Sequence, residues 1–313
     1  MRATPPQFPV VFPMPGSFPL PFSDLLAHAI DRVGSPVCVG LDPVLEMLPA
    51  ELRARHHEPI AAIDEFSREV LKAIAGVVPA VKFQSACFER YGSRGVAVLE
   101  DRCAEAARLG LVVILDAKRG DIGISAAHYA AAAKRLHAHA ITVSGYLGPS
   151  GVEPFLDAGL GVFVLVRTSN PDSDTVQSHP LADGRTVATM MADHVATLGA
   201  TRLGECGLSN VGAVVGATKS AEAAALRCRM PRQVFLVPGY GAQGGTAEDI
   251  RAMLRPDVKD SSTSGVLVSA SRSIIYPKWG DSAWIHAIHV AAFHCANEVR
   301  SVLNLPCVPS TEV

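Results

Sequence analysis

The chain has 313 residues, 49% of them hydrophobic and 19% charged, with 28 basic against 30 acidic side chains and a formal net charge of −2. Such a chain buries a large core, and its balanced charge gives no general reason to expect nucleic acid or an anionic membrane surface as partner, so any anion site is built locally. No apolar run approaches the ~18 residues of a membrane span, and the cysteines at 38, 87, 103, 206, 228, 295 and 307, odd in number and without a C-x-x-C pair, fit the free thiols of a reducing, cytoplasmic compartment.

Prolines at 5, 6, 9, 13, 15, 19 and 21 interrupt any signal-peptide core. They favour an extended, solvated arm over residues 1–22, outside the fold. Helical spacing starts at Ser23, an expected N-cap, and runs through Leu25, Leu26, Ala29 and Ile30 to Gly34. The apolar run 36–43 ends in Asp42 and Pro43, and the proline forbids simple continuation, which places Asp42 at a strand's carboxyl end. Ile60, Ile63, Phe66, Val70 and Ile74 recur at helical intervals over 59–77. The next strand, 80–88, carries Lys82 in its middle, a charge costly to bury unless paired. A structural salt bridge and a site residue both fit it.

A helix over 95–109 leads to LVVILDAKRGDIGIS, residues 111–125. Leu111 to Leu115 read as a buried parallel strand, and Asp116, Lys118 and Asp121 fall within the next six residues. Taken alone, D-x-K-x-x-D fits two readings: a βα loop whose charges pair in solvent, or a ligand site where strand ends and helix starts converge. After an alanine-rich helix, about 124–138, come the strand 140–148, a short helix at 150–158 and the strand 161–170, with Arg167, Thr168, Ser169 and Asn170 at its polar end. Residues 171–185 have the composition of a long loop, either over a site or as surface slack.

The helix 187–198, the strand 210–218 and the helix 220–229 follow. QVFLVPGYGAQGG, 233–245, is a strand and a glycine-rich turn that can bring backbone N–H groups close to a phosphate. The last strand, from 265, ends in Ser269, Ser271, Arg272 and Ser273, donors suited to an anion. On the closing helix, 281–303, His286, His289 and His294 lack acidic ligand spacing and read as surface or packing residues.

Eight strand starts near 36, 80, 111, 140, 161, 210, 233 and 265 alternate with helices, which predicts a single α/β domain over 23–305, a (β/α)8 TIM barrel, and a tail at 306–313. A doubly wound sheet is the alternative. Barrel closure brings Asp42, Lys82, Asp116, Lys118, Ser144, Ser169, Gln243 and Arg272 to one mouth, and the last two strand ends supply an anion site, so a phosphorylated small substrate is expected.

LDAKRGDIG (115–123), with CVGLDP (38–43), VKFQSACFERYG (81–92), SGYLG (144–148), RTSNP (167–171), VVGAT (214–218), VPGYGAQGG (237–245) and SASRSI (269–274), resembles the orotidine 5'-phosphate decarboxylase family, in the form usually called type 2. The match covers about residues 23 to 304. It implies a carboxy-lyase that converts orotidine 5'-monophosphate to uridine 5'-monophosphate and CO2 in pyrimidine biosynthesis, with no metal and no organic cofactor. By motif position, Asp116 corresponds to the carboxylate beside the substrate's C6 carboxylate and Lys118 to the lysine that protonates C6. Lys82 is similar to the bridging lysine and Asp42 to the aspartate on a ribose hydroxyl. Ser169 resembles the serine that reads the pyrimidine edge, and Gln243, Gly244 and Arg272 the phosphate grip. Asp121 and Ser125 correspond to residues that reach the neighbouring subunit's site, which implies a homodimer with shared active sites.

The chemistry agrees with these roles. Loss of CO2 leaves a C6 carbanion with no adjacent carbonyl to take the charge, and fixed lysines already held by acids need no reorganisation to stabilise it. One rival is a metal-dependent keto-sugar-phosphate decarboxylase or aldolase. That chemistry needs a carboxylate set for Mg2+, whereas Lys82 and Gln84 stand at the second strand's end. A non-catalytic phosphate-binding barrel is the other rival.

Overall fold

Eight short runs rich in Val, Ile, Leu and Ala become strands: β1 Val37–Leu41, β2 Ala80–Gln84, β3 Val112–Arg119, β4 Ala140–Val143, β5 Gly161–Arg167, β6 Val211–Val215, β7 Phe235–Pro238 and β8 Val266–Ala270. All neighbours pair in parallel, and β1 pairs with both β2 and β8, which closes the barrel in sequence order. This computed structural model describes residues 20–217, 220–240, 244–256, 258, 260–278 and 283–303. Most of the expected arm, the expected tail and Gln243 lie outside the described residues.

Successive strand residues alternate between two cores, as the pleat dictates. Val37, Val39 and Leu41 of β1, Val81 and Phe83 of β2, and Val113 and Leu115 of β3 join the layer between barrel and helices, where Pro59–Ile74, Gly92–Arg108 and Trp284–Val302 lay their apolar stripes. Cys38, Ala80, Val112, Ile114, Ala140, Phe163, Val214, Leu236 and Leu267 fill the barrel interior instead.

The helix Phe22–Val33 plugs the bottom of that interior. Phe22 meets Phe163 edge-on with centroids 5.6 Å apart, directly beneath Gly161, where a Cβ would strike the Phe22 ring. Ser23 was the expected N-cap, but the helix begins at Phe22 with Pro21 in the cap position, and Ser23 is turned to tertiary use. Its backbone N–H and its hydroxyl donate to Asn210 Oδ1 at 2.9 and 3.0 Å, and the buried Asp24 carboxylate accepts from the N–H groups of Glu205 and Cys206. The helix docks on the loop before β6, which outweighs local capping.

Two further differences matter for the site. β3 extends through Arg119 because Asp116 pairs with Gln84 of β2, so Asp116 and Lys118 belong to the strand rather than to a following loop. Its register with β4 shifts between Leu115 and Arg119, and Lys118 adopts φ 44°, the left-handed region that non-glycine residues rarely enter. The expected loop 171–185 is largely organised: a 3-10 turn Pro171–Ser173, a short helix Asp174–Gln177 and a bridge between Pro180 and Thr186. Among the described residues no helix is long and apolar enough to cross a membrane.

Candidate active site

At the carboxyl end of the barrel the inward-facing positions change from apolar to polar, and this change of composition makes the site. Above the interior core, Asp42, Lys82, Asp116, Thr142 and Ser269 take the next inward places and line a cavity of about 490 Å³. Gly40 leaves room for Ser271, whose Oγ a Cβ at that position would strike.

On the β1–β4 side the polar groups form a continuous row. Lys82 Nζ lies 3.8 Å from Asp42 Oδ1 and donates to Asp116 Oδ2 at 2.7 Å. Lys118 Nζ donates to Asp116 Oδ1 at 2.6 Å. Thr142 ties the row to β4: its hydroxyl donates to Asp116 Oδ1 at 2.9 Å and accepts from the Lys118 backbone N–H at 2.9 Å. That second bond helps hold Lys118 in its unusual backbone conformation.

Lys82 and Asp116 are each only 6% exposed, so burial alone would neutralise them. Burial pushes the Asp116 carboxyl up, but the ammonium groups of Lys82 and Lys118 outweigh it and hold the group at about 2. Burial likewise pushes Lys82 down, and the carboxylates of Asp116 and Asp42 more than reverse this, so its pKa ends above the usual lysine value. Both remain charged at neutral pH. Asp42 Oδ1 is buried without a hydrogen-bond partner, an acceptor held ready for a donor from a bound molecule.

The opposite wall is made mostly of neutral groups. Thr168, Ser169, Asn170 and Gln177, from the end of β5 and the segment after it, line the cavity, and Ser271 and Arg272 line it at the end of β8. Arg272 is an exposed cation on this side.

Six of the residues singled out in the sequence therefore meet in one cavity: Asp42, Lys82, Asp116, Lys118, Ser169 and Arg272. Asp121, Ser125 and Gly244 do not line it. Asp121 Oδ1 accepts from the Ile122 N–H at 2.8 Å, and Gly244 takes φ 90°, a turn conformation that suits glycine. Ser144, expected at the mouth, is also absent from the lining; its backbone N–H donates to the Arg119 carbonyl instead. Thr168 and Asn170, noted in the sequence as the polar end of their strand, line the cavity as well, whereas Thr142 and Gln177 were not expected. Thr142 shares the inward parity of Ala140, a signal present in the sequence. His289 packs against the Ala73 carbonyl at 2.9 Å, while His286 and His294 are exposed, as their spacing suggested. Among the described residues no three His, Cys, Asp or Glu side chains cluster as metal ligands.

Residues 35–281 match the orotidine 5'-phosphate decarboxylase / HUMPS family. The chain is 42% identical over 272 residues to the orotidine 5'-phosphate decarboxylase of Rhodopirellula baltica, covering 82% of this chain and 88% of that one. It is 40% identical over 292 residues to the enzyme of the same name from Streptomyces coelicolor, covering 90% and 98%. Among solved structures it is similar to the OMP decarboxylase of Leishmania donovani, with a TM-score of 0.74, 32% identity and coverage of 92% and 100%.

Proposed function

The chain belongs to the orotidine 5'-phosphate decarboxylase / HUMPS family and has orotidine 5'-phosphate decarboxylase activity; from that premise we propose that the row Asp42–Lys82–Asp116–Lys118 carries out the reaction. The observation behind this reading is the alternation of two carboxylates and two lysines along one wall of a cavity of about 490 Å³, at 3.8, 2.7 and 2.6 Å, with Lys82 and Asp116 buried, Asp42 half-buried and Lys118 exposed to the cavity mouth.

In this mechanism orotidine 5'-monophosphate binds with its C6 carboxylate beside Asp116 and Lys118. The C6–carboxylate bond breaks, CO2 leaves, and the electron pair stays on C6. Lys118 Nζ donates its proton to C6 to give uridine 5'-monophosphate, and solvent reprotonates the lysine. The lysines stabilise the developing charge because they are already fixed by Asp116, so little reorganisation is needed. Like charge between Asp116 and the substrate carboxylate adds stress that departure of CO2 relieves.

Asp42 and Lys82 bind the ribose, and the unpartnered Asp42 Oδ1 suits a hydroxyl donor. Ser169 reads the pyrimidine edge, and Arg272, with Gln243 and Gly244, takes the phosphate, remote binding energy that serves catalysis at C6. Asp121 and Ser125 serve a second subunit in a homodimer with shared sites. What supports this is their absence from their own cavity and the apolar rim around them: Ile122, Ile124, Tyr146 and Leu147 are 58%, 75%, 83% and 46% exposed. The reaction belongs in the cytoplasm, where six free cysteines among the described residues fit a reducing milieu.

The row supplies its positive charge from lysines, so the purified protein is expected to convert orotidine 5'-monophosphate to uridine 5'-monophosphate after exhaustive EDTA treatment. Absence of turnover, or turnover restored only by Mg2+, would sink the proposal and favour the metal-dependent alternative.

A further inference from the structure

Arg167 is the largest of the fully buried side chains, 1% exposed, and the mechanism above gives it no part. It closes β5, but it does not line the cavity. A buried guanidinium is tolerated only when its donors are spent on acceptors. Two of them grip one carboxylate: Nε and Nη2 donate to Glu222 Oε2 and Oε1 at 3.1 and 3.0 Å, a two-point fork onto the helix Ser220–Arg229 that follows β6. The others turn to the chain beyond β5. Nη1 donates to Ser173 Oγ at 3.0 Å and reaches Gln177 Oε1 at 3.4 Å, while Nη2 also meets Asp174 Oδ1 and Ser178 Oγ.

One of these contacts carries the arrangement to the cavity. Gln177 Oε1 accepts the Thr168 backbone N–H at 2.8 Å. A backbone N–H can only donate, so the amide has a single orientation, and its Nε2 donates to Thr168 Oγ1 at 2.8 Å. The Thr168 hydroxyl in turn donates to Asn170 Oδ1 at 2.6 Å, and Asn170 Nδ2 donates to Asp172 Oδ1 at 2.6 Å. Gln177, Thr168 and Asn170 all line the cavity. The neutral wall is thus a one-way chain of hydrogen bonds, and its starting residue, Gln177, is held by Arg167 from behind.

We propose that Arg167 is a positioning residue for substrate binding: forked onto Glu222, it holds the segment 173–178 so that Gln177, Thr168 and Asn170 keep the wall opposite the charged row in its binding arrangement. The proposal rests on the reading that orotidine 5'-monophosphate occupies this cavity. The row itself stands on β1–β4 and shares no hydrogen bond with Arg167 among those described. Loss of the fork therefore weakens binding more than chemistry. Lysine keeps the charge but lacks the planar fork, so it does not substitute.

The test compares wild type with Arg167→Lys, Glu222→Gln, Gln177→Ala and the double variant Arg167→Lys/Gln177→Ala, in steady-state kinetics and in titration with uridine 5'-monophosphate. The single variants are expected to raise the KM for orotidine 5'-monophosphate and the Kd for the product about tenfold, the worth of one charged hydrogen bond, with kcat within about threefold of wild type. The double variant is expected to bind no more than about twofold more weakly than Arg167→Lys alone, because both changes break one chain. Glu222→Gln keeps the shape of the side chain and provides the answer if Arg167→Lys does not fold. An unchanged KM in folded variants, a fall in kcat at constant KM, or losses that multiply in the double variant overturn the positioning role alone. Wild-type protein without turnover overturns the decarboxylase reading and this one with it.

Discussion

On the β1–β4 side of the cavity the groups around Asp116 satisfy one another: Lys82 and Lys118 share its carboxylate, and Thr142 binds both Asp116 and the Lys118 backbone. On the β5–β8 side, Thr168, Asn170 and Gln177 are neutral and depend on Arg167, which never reaches the cavity. A charged site can be rigid through its own strand residues, since each ion fixes the next at short range. A neutral wall built on a connecting segment has no such force and needs an anchor borrowed from another helix. The reactive and the binding halves are therefore separable, and each can be perturbed without dismantling the other.

The strongest test of that separation is Lys118→Ala. It removes the proposed proton donor and one charge of the row, and kcat is expected to fall by about 10⁴-fold. Titration calorimetry with uridine 5'-monophosphate is expected to show affinity within a few-fold of wild type; a parallel collapse of binding would mean that the halves are one unit. Arg272→Ala tests the other side. Loss of a charged contact to phosphate is expected to raise KM about 30-fold, with a smaller change in kcat at saturation. An effect confined to kcat would contradict a binding role.

Acidification gives the smallest effect near neutrality and the most graded one. His139 Nδ1 accepts the Val113 N–H at 2.9 Å, beside the pairing of β3 and β4, so the ring has to be neutral in the fold. Burial lowers its pKa to about 4 from an ordinary 6.5, aided by the charges of Lys134 and His137. Because the folded value is depressed, its contribution is complete above pH 6.5 and is lost as pH falls towards 4. Asp116, held at about 2, adds a second loss only below the usual carboxylate value of 3.8. Hydrogen exchange at pH 7 and pH 5 is expected to show β3 and β4 amides losing protection before those of β6 and β7. Uniform loss would mean that His139 does not set the order.

The reactive half was far more legible in the sequence than the binding half, and the reason is physical. Eight strands could be placed because β-branched runs between glycines and helices have few other uses. A charge such as Lys82 within such a run announces itself by its cost. Thr142 escaped notice because threonine is also a good strand former; only its parity with Ala140 marks it as facing inward. Gln177 carries no such signal, since its place depends on a fold of residues 171–178 around a buried arginine and on a carboxylate 55 residues from that arginine. Ser23 looked like a cap because its local sequence is right, and the loop before β6 claimed it. The role proposed for Asp121 and Ser125 needs a second chain, which one sequence does not display.

The plug at the bottom of the barrel also sets an order in time. Ser23 is held by Asn210, 187 positions later, and Asp24 by Glu205 and Cys206, more than 180 positions later. During synthesis from the amino end, the helix Phe22–Val33 is made before β1, and five strands follow it before its polar partners appear in the loop preceding β6. The apolar face of the helix, with Phe22, Leu26 and Ile30, belongs to a core that also takes Val214, Leu236 and Leu267, so its packing is complete only after β8 is made. Among the described helices the first made is among the last to be fully packed, and the long loop it closes makes final consolidation of the barrel a slow, nonlocal step.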